Sequence, residues 1–532
     1  MICRKRARYL VAVGLLALVA FFVRAASLEV QSLWRDEVDA LRFATAPWSE
    51  MLSNFTRPGW NGPLYYLLLR GWVAMAGTSE YAMRFFSLLF GVLGLPLIYV
   101  LGRRLFSPSV GLISALLMTT SPYLVWYSQE VKMYTLILAL ALLAIYSLRR
   151  ALEGGGWPWW LVQTAATTVA FYSHILAALL IPVQVLLTFL WWPQARKRWR
   201  GALVSLACLT LPYLPLLAWQ APLAFETRDT GFHPYTLHQM VVILLNGWST
   251  GITSWGTPWG PALMGLLAVG GVGVAISVIV PSADPGAQEG RWAGIRNYFT
   301  LIVWLLVPVL CVWLVSLRQP LFTDRYLIWS APAFYLLVAY SLAWFASAPN
   351  ASRWAAVLLL GAILILDGIN LQKQAVKPIK AEFRPAAAFV SSYWEPGESA
   401  ERSIQEGELP FKCYLPITLG EGAEFDELII FQMPYGKYTF DYYFSIDEYP
   451  SAEGLYTNHR TPDGAYRMSA QEAARRMEEM TKGYDMVWLV ATEVPMWDER
   501  NLVQQWLDQR ALQVSAAHFT RVDVYRYALP DA

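Results

Sequence analysis

The chain has little charge and little cysteine for its length. Only 15% of its 532 residues are charged and 56% are hydrophobic, whereas soluble proteins carry about 25% charged residues. This composition excludes a string of soluble domains for most of the chain. The four cysteines are scattered, so they form neither a metal-ligand spacing nor a disulfide framework. The sequence also lacks the clustered basic surface that nucleic-acid binding requires, and we expect no nucleic-acid partner.

The charges that are present divide the chain into two parts. Residues 1–376 hold 26 basic and 14 acidic side chains, whereas residues 377–532 hold 15 basic and 25 acidic ones. The 25 Trp and 28 Tyr residues are typical of a protein at membrane interfaces. We therefore predict a transmembrane section at 1–376 and a polar, acidic domain at 377–532.

Apolar runs near the length needed to span a bilayer recur through the first part. They predict a polytopic α-helical membrane protein with about eleven transmembrane helices. The runs are 8–27, 84–103, 109–127, 133–149, 158–173, 175–192, 201–219, 259–280, 298–316, 326–346 and 353–371.

The positions of Lys and Arg in short loops predict the orientation. Alternate loops carry 15 basic residues, from Arg4 to Arg353, and almost no carboxylates. This pattern predicts a cytoplasmic N-terminus and, with an odd number of spans, a tail domain outside the cytoplasm. A cleaved signal peptide ending near Ala25-Ala26-Ser27 is an alternative for the first run. Cleavage there would leave the later topology unchanged.

Several segments on the outer side are polar enough to fold outside the bilayer. The first outer loop, about 28–83, contains an amphipathic stretch at 62–72 that suits an interfacial helix. The other two are the aromatic, Gly-rich segment 220–258 and the short segment 317–325. The tail domain is predicted to be a soluble α/β domain. Its predicted strands are Glu427–Phe431, Met486–Val490 and Arg521–Tyr527, and its predicted helices are Ser469–Met480 and Glu499–Leu512.

Charged residues are rare on the outer side of the membrane section, so each one is informative. Ionisable groups in membrane segments raise the free energy of insertion and are retained mainly for function or pairing. The candidates at the outer side are Arg24, Asp36, Glu37, Arg84, Glu130, Lys132, His174, Asp324 and Arg325. Carboxylates serve as bases, while Arg and Lys bind phosphate. Purely structural roles remain open as alternatives: snorkelling for Arg24, interfacial anchoring for Arg84 and His174, and an ion pair between Glu130 and Lys132.

The order of these motifs resembles the GT-C glycosyltransferases of the protein O-mannosyltransferase type, in particular the bacterial branch with an added tail domain. The resemblance covers about 1–371. One departure is Asn61-Gly62-Pro63, where family members commonly have His-Pro-Pro. The matching pieces, in order, are Arg24, Leu33-Trp34-Arg35-Asp36-Glu37, Pro63-Leu64-Tyr65-Tyr66, Arg84, Ser128-Gln129-Glu130-Val131-Lys132-Met133-Tyr134 and Arg325-Tyr326-Leu327.

The resemblance implies a membrane glycosyltransferase, a hexosyl- or pentosyltransferase, that uses a sugar on a polyprenyl phosphate. It implies inverting transfer to an acceptor hydroxyl of a protein, lipid or glycan on the extracytoplasmic side. Asp36 would be the general base, with Glu37 assisting in catalysis. The implied donor-phosphate ligands are Arg24, Arg84, Lys132 and Arg325. The implied substrate-binding residues are Tyr65, Tyr127, Gln129, Glu130, Tyr134, His174 and Tyr326.

We expect no cofactor. Some GT-C relatives use a divalent cation, but the cationic side chains here suit the same task. The expected location is the cell (plasma) membrane, with membrane lipids as neighbours. Two other functions stay open at this point. One is a polytopic transporter or lipid flippase, although such proteins tend to carry ionisable groups near the midplane and show repeated halves. The other is a non-catalytic binding protein with the tail domain as its recognition module.

Overall fold

The computed structural model describes residues 2–55, 62–214, 232–252, 258–277, 285–347, 351–394, 426–446, 448–461 and 463–530. These residues divide into two units. The membrane unit comprises Met1–Leu28 and Phe43–Lys377, and the tail unit comprises Glu29–Arg42 and Pro378–Ala532. The sequence placed the whole first outer loop in the membrane section, whereas the structure assigns Glu29–Arg42 to the tail unit.

The helices up to Val376 account for most of the chain. Apolar composition favours them, and serine caps such as Ser79, whose Oγ accepts from the Ala82 N–H at 3.2 Å, fix their starts. The helices are α1 (Ile2–Ala25), α2 (Arg35–Thr45), α3 (Trp48–Phe55), α4 (Pro63–Ala76), α5 (Glu80–Leu105), α6 (Pro108–Thr120), α7 (Pro122–Ser128), α8 (Tyr134–Leu152), α9 (Trp157–Ser173), α10 (Leu180–Leu190), α11 (Trp192–Ala195), α12 (Trp199–Thr210), α13 (Leu237–Thr250), α14 (Trp259–Ser277), α15 (Pro285–Ser316), α16 (Ala331–Ser347) and α17 (Ala351–Val376). Three 3₁₀ segments join them at Ile175–Leu179, Leu211–Tyr213 and Asp324–Ser330.

Six of the described helices are long and apolar enough to cross a bilayer, or seven if α6 and α7 form one bent span. Each predicted apolar run contains helix in its described part, although 215–219 and 278–280 lie outside the described residues. The polytopic helical fold is therefore confirmed, and the number eleven stays a prediction. Residues 220–231 and 253–257 of the second outer segment also lie outside the described residues.

The tail unit contains a five-stranded mixed sheet. Its strand order is β2-β1-β3-β5-β4; β1 pairs in parallel with β2 and β3, and β5 pairs antiparallel with β3 and β4. The strands are β1 (Glu427–Phe431), β2 (Ser451–Glu453), β3 (Met486–Thr492), β4 (Leu512–Phe519) and β5 (Val522–Ala528). The helices are α18 (Phe383–Trp394), α19 (Gly436–Asp441), α20 (Ala470–Thr481), α21 (Val494–Trp497) and α22 (Leu502–Arg510).

Helices cover both faces of this sheet. Phe383 of α18 and Phe440 of α19 pack on one face with Trp488, while Met477 of α20 and Leu507 of α22 pack on the other. Because β1 and β3 are buried on both faces, their sequences are continuous apolar runs rather than alternating ones. The predicted α/β domain is confirmed, including the three predicted strands and two predicted helices, within a few residues at each end.

Candidate functional site

A sharp bend separates α6 from α7 in the membrane unit. The two helices meet at 62° at Ser121 and Pro122. Pro122 lacks the N–H that would continue the helix, and Ser121 Oγ accepts from the Leu124 N–H at 3.2 Å, which starts α7. The sequence predicted one continuous span at 109–127, so the break is a correction. Backbone carbonyls freed by such a break need partners from the protein, because the bilayer core holds no water.

Arg24 supplies these partners. Its Nη2 donates to Met118 O at 2.9 Å and its Nη1 to Thr119 O at 3.2 Å, both at the end of α6. Its Nη1 also reaches Ala20 O at 3.3 Å, and its Nε donates to Ser128 Oγ at 3.1 Å. The side chain is buried, so it does not snorkel. Four of the five N–H groups of a guanidinium are thus directed to protein acceptors, and phosphate binding by Arg24 stays a prediction.

Further polar side chains secure the same break. Thr120 Oγ1 donates to Asp367 Oδ2 of α17 at 2.6 Å, and Ser121 Oγ lies 2.7 Å from the Tyr335 hydroxyl. Tyr335 in turn donates to Trp248 O at 2.9 Å. Asp367 was not among the predicted functional residues. The signal that points to it is a single carboxylate inside the apolar run 353–371.

Beyond α7, tyrosine hydroxyls contact Asp324. Tyr127 donates to Asp324 Oδ2 at 3.1 Å, and Tyr123 donates to the Asp324 carbonyl at 3.0 Å. The Tyr127 and Tyr134 rings meet edge to face with centroids 5.4 Å apart. The sequence identified Asp324 as an outer charge but gave it no role. In the structure it orients Tyr127, one of the predicted substrate-binding residues.

Arg325 lies among aromatic rings. Its guanidinium carbon is 6.0 Å from the ring centres of both Tyr134 and Tyr326. The His174 ring is tilted against Tyr326 with centroids 4.6 Å apart. Four of the predicted site residues therefore come together, from the end of α9, the start of α8 and the 3₁₀ segment at 324–330.

His174 is a neutral hydrogen-bond donor in this cluster. Burial, together with the positive charges of Arg325 and Lys132, lowers the pKa of His174 to about 3. Its Nδ1 accepts from the Leu176 N–H at 3.2 Å, so the neutral ring carries its hydrogen on Nε2. That buried Nε2 has no hydrogen-bond partner among the described residues. It is therefore available to a ligand.

A glycine at the start of α4 allows the backbone to approach next to His174. Gly62 has a φ of 74°, in the left-handed region. A Cβ there would lie 2.7 Å from Ser173 O and 2.8 Å from Met133 Cε. Gly62 belongs to the segment that departs from the family pattern, while Asn61 lies outside the described residues.

Glu130 and Lys132 are buried in the tight turn between α7 and α8. The Lys132 N–H donates to Glu130 O at 2.8 Å, and Lys132 O accepts from Ser87 Oγ of α5 at 3.1 Å. The charge of Lys132 acts on His174 and that of Glu130 on Tyr127. Both residues therefore belong to the cluster, which we call the outer cluster: Tyr127, Glu130, Lys132, Tyr134, His174, Asp324, Arg325 and Tyr326.

Two other predicted residues hold the end of α1 and the chain just after it. Arg84 Nη1 donates to Leu28 O at 2.5 Å, and a carboxylate oxygen of Glu80 lies 4.0 Å away. Gln129 Nε2 donates to Arg24 O and to Ser27 Oγ, each at 2.8 Å. These contacts position backbone, and a direct role of either side chain toward substrate stays a prediction.

Tyr65 is buried against aromatic neighbours. Its ring centroid lies 5.7 Å from that of Tyr66 and 6.0 Å from that of Phe86. This places it in the aromatic packing between α4 and α5. Its predicted contact with substrate stays a prediction.

The predicted base and its neighbour belong to the tail unit. Asp36 is half-buried in the first turn of α2. Glu37 is fully buried, and its Oε2 lies 2.8 Å from Lys380 Nζ. Lys380 was not predicted, because no local pattern connects residues 343 positions apart. The two adjacent acids thus have different surroundings: Asp36 is half-buried and Glu37 is enclosed in an ion pair.

Among the described residues, no three His, Cys, Asp or Glu side chains are grouped as a metal site. The expectation that no divalent cation is needed stays a prediction.

Solved structures with this architecture decide the fold. ArnT from Cupriavidus metallidurans bound to undecaprenyl phosphate is 14% identical, with 97% of this chain and 98% of that chain covered at a TM-score of 0.53. Apo ArnT from the same organism is also 14% identical and covers 98% of both chains at 0.54. The oligosaccharyltransferase AglB from Archaeoglobus fulgidus, in complex with an inhibitory peptide and a dolichol-phosphate, is 12% identical. That match covers 98% of this chain and 74% of that chain at 0.51.

The fold is the GT-C fold. Residues 58–219 match the family described as dolichyl-phosphate-mannose-protein mannosyltransferase. The resemblance that the motifs indicated is thereby confirmed, and so is a multi-pass membrane location. No curated protein sequence matches the chain.

The family match covers part of the GT-C motif set. It includes Arg84, Glu130, Lys132 and His174. Arg24, Asp36 and Arg325 lie outside it, so their assignment depends on the residues themselves.

Proposed function

We propose that this chain is a membrane glycosyltransferase that moves a sugar from a polyprenyl-phosphate donor to an acceptor hydroxyl on the extracytoplasmic side. The observation that carries the proposal is the outer cluster. It combines the cations Lys132 and Arg325 with the Nε2–H of His174, a donor that has no hydrogen-bond partner within the described part of the chain. ArnT bound to undecaprenyl phosphate and AglB with dolichol-phosphate share the fold.

The outer cluster suits a phosphate that becomes a leaving group. Arg325 offers paired N–H donors and Lys132 a point charge. Both are buried or half-buried, so their charges are less screened than in water. Negative charge grows on the phosphate oxygens as the sugar departs, and fixed cations stabilise that charge more in the transition state than in the ground state. His174 adds a hydrogen bond without adding charge.

The acceptor hydroxyl needs a base, and Asp36 is the proposed one. A single displacement at the anomeric carbon inverts its configuration: the C–O bond to the lipid phosphate breaks, the bond to the acceptor oxygen forms, and Asp36 takes the hydroxyl proton. Tyr134, Tyr326, Glu130 and Tyr127 are proposed to contact substrate. The leaving phosphate is neutralised by Lys132 and Arg325, so no metal is required in this scheme.

The orientation of the protein follows from its loops. The basic loops, such as Arg196–Arg200, are proposed to face the cytoplasm. The outer cluster and the tail unit then lie on the extracytoplasmic side of the cell (plasma) membrane. A lipid-linked donor diffuses in the bilayer, which explains why a catalytic centre of this kind adjoins apolar helices.

The test is donor turnover by the purified full-length chain in lipid nanodiscs. A panel of polyprenyl-phosphate sugars is supplied with a hydroxyl acceptor mixture, and the anomeric configuration of the product is read by NMR. Transfer with inversion supports the proposal. Retention of configuration would contradict the single displacement. In sealed liposomes, movement of the donor lipid between leaflets without sugar transfer would favour a flippase.

A further inference from the structure

The segment that carries Asp36 folds as part of the tail unit. Gln31 Oε1 accepts from the backbone N–H groups of Ile379 at 2.8 Å and Lys380 at 3.2 Å. The Leu33 N–H donates to the Tyr443 hydroxyl at 2.6 Å. These bonds join positions more than 340 residues apart. The segment that leads into α2 is therefore fixed by residues of the C-terminal part of the chain.

Two arginines on α2 stack on tyrosines of the tail unit. The guanidinium carbon of Arg35 lies 3.9 Å from the Tyr435 ring centre, and that of Arg42 lies 3.4 Å from the Tyr438 ring centre. Residues seven apart lie on the same face of a helix. Together the two stacks bind one face of α2 to the segment around α19.

The ion pair between Glu37 and Lys380 fixes the rotation of α2. Its atoms are 2.8 Å apart, and the exposed fractions of the Glu37 and Lys380 side chains are 0% and 5%. A buried ion pair contributes little net stability, because desolvation offsets the attraction, and its best-attested use is to specify one arrangement. Successive helical residues point about 100° apart. Locking Glu37 onto Lys380 therefore sets the direction in which Asp36 points.

We propose that the tail unit positions the catalytic base, and that Glu37 and Lys380 are positioning residues for Asp36. This gives the tail unit a task in catalysis instead of acceptor recognition. The inference rests on the proposed function of Asp36 as the base. It also assigns the adjacent acids Asp36 and Glu37 different tasks.

The test uses the full-length protein with the pair replaced by neutral groups, Glu37→Gln with Lys380→Met. Both charges are removed, so no unpaired charge is left buried. We expect kcat to fall at least about ten-fold with donor KM nearly unchanged, since misplacement of a catalytic group costs rate more than binding. The single variant Lys380→Arg keeps the charge and should retain most of the wild-type kcat.

Hydrogen exchange gives a readout that does not depend on activity. Amides of α2 should exchange faster in the double variant, while those of β1 and β3 keep their protection. If Asp36→Asn keeps full activity, the base assignment fails, and exchange in α2 still decides whether the pair holds the helix. If the double variant does not fold, Arg42→Met takes its place. It removes one stack and leaves the ion pair of Glu37 and Lys380, and it should lower kcat by less than the roughly ten-fold loss expected for the double variant.

A matched control is another ion pair of the tail unit with little exposure, Arg526 with Glu427. Arg526→Met with Glu427→Gln should leave kcat per folded enzyme unchanged. Three results for the double variant of Glu37 and Lys380 would overturn the proposal. The first is unchanged exchange in α2, and the second is unchanged kcat despite faster exchange. The third is a change confined to acceptor KM. The last would identify the tail unit as a recognition module.

Discussion

The hydroxyl of Tyr127 donates a 3.1 Å hydrogen bond to Asp324, which lies 197 residues later in the sequence. This bond connects the end of α7 to the 3₁₀ segment that carries Arg325 and Tyr326. It therefore fixes the spacing between the two chain segments that supply most of the outer cluster.

Removing this bond should disturb the cluster more than the fold. Tyr127→Phe deletes one donor to a half-buried carboxylate, which costs about 1.5–3 kcal/mol. We expect the transfer rate to fall by about ten-fold because Arg325 loses its fixed position. Tyr146→Phe is the matched control, since Tyr146 packs edge to face on Trp159 away from the cluster. Equal rates for the two variants would remove Tyr127 from the site.

His174 should stay neutral over the physiological pH range. Its pKa is lowered to about 3 by burial and by the charges of Arg325 and Lys132. Between pH 6.5 and 3 the unfolded chain binds the proton and the folded chain does not. His174 therefore contributes stability that is present above pH 6.5 and decreases as the pH falls, by at most about 1.4 kcal/mol per pH unit.

The comparison with His174→Gln isolates this contribution. Thermal midpoints of both proteins are measured from pH 7 to pH 4.5, and the wild type should lose more. Parallel pH profiles would contradict the lowered pKa. At pH 7 the variant should also bind polyprenyl phosphate more weakly, because the orientation of the Nε2–H donor is lost.

Gly62 should not tolerate a side chain. Gly62→Ala adds a Cβ at 2.7 Å from Ser173 O and imposes strain at a positive φ. We expect a loss of stability of about 1–3 kcal/mol and a lower transfer rate, because the backbone next to His174 must shift. Gly71→Ala within α4, the helix that Gly62 precedes, is the control, since a Cβ there meets nothing within 4 Å. Similar stability of the two variants would show that the close approach is unimportant.

Chelation of divalent cations should leave transfer intact. In the proposed mechanism, Lys132 and Arg325 supply the positive charge for the leaving phosphate. After dialysis against EDTA we expect the rate to stay within about two-fold of the untreated enzyme. Loss of activity that returns with Mg²⁺ or Mn²⁺ would contradict this prediction.

The sequence predicted the elements whose signals are local. The runs Glu427–Phe431 and Met486–Val490 are adjacent parallel strands, and strands buried on both faces have short, nearly continuous apolar sequences. The outer charges Lys132, His174 and Arg325 were found because ionisable residues are rare at the ends of apolar runs.

The sequence did not predict relationships that depend on tertiary contacts. The proline at Ser121-Pro122 is a local signal for the bend. No local signal indicates that Arg24 and Asp367 stabilise it. Likewise, Asp36 and Glu37 are neighbours of the same chemical type. Only the folded tail unit, through Lys380, separates a half-buried acid from one enclosed in an ion pair.

The most direct measurement of the central claim is the stoichiometry of lipid phosphate release by the wild type and Asp36→Asn. Purified enzyme in nanodiscs receives a labelled polyprenyl-phosphate sugar and acceptor, and both products are counted. The wild type should release one lipid phosphate for each sugar transferred. Asp36→Asn should fold and transfer nothing above background, and Asp39→Asn in the same helix should retain most activity. Full activity of Asp36→Asn, or sugar transfer without equimolar lipid phosphate, would contradict the account.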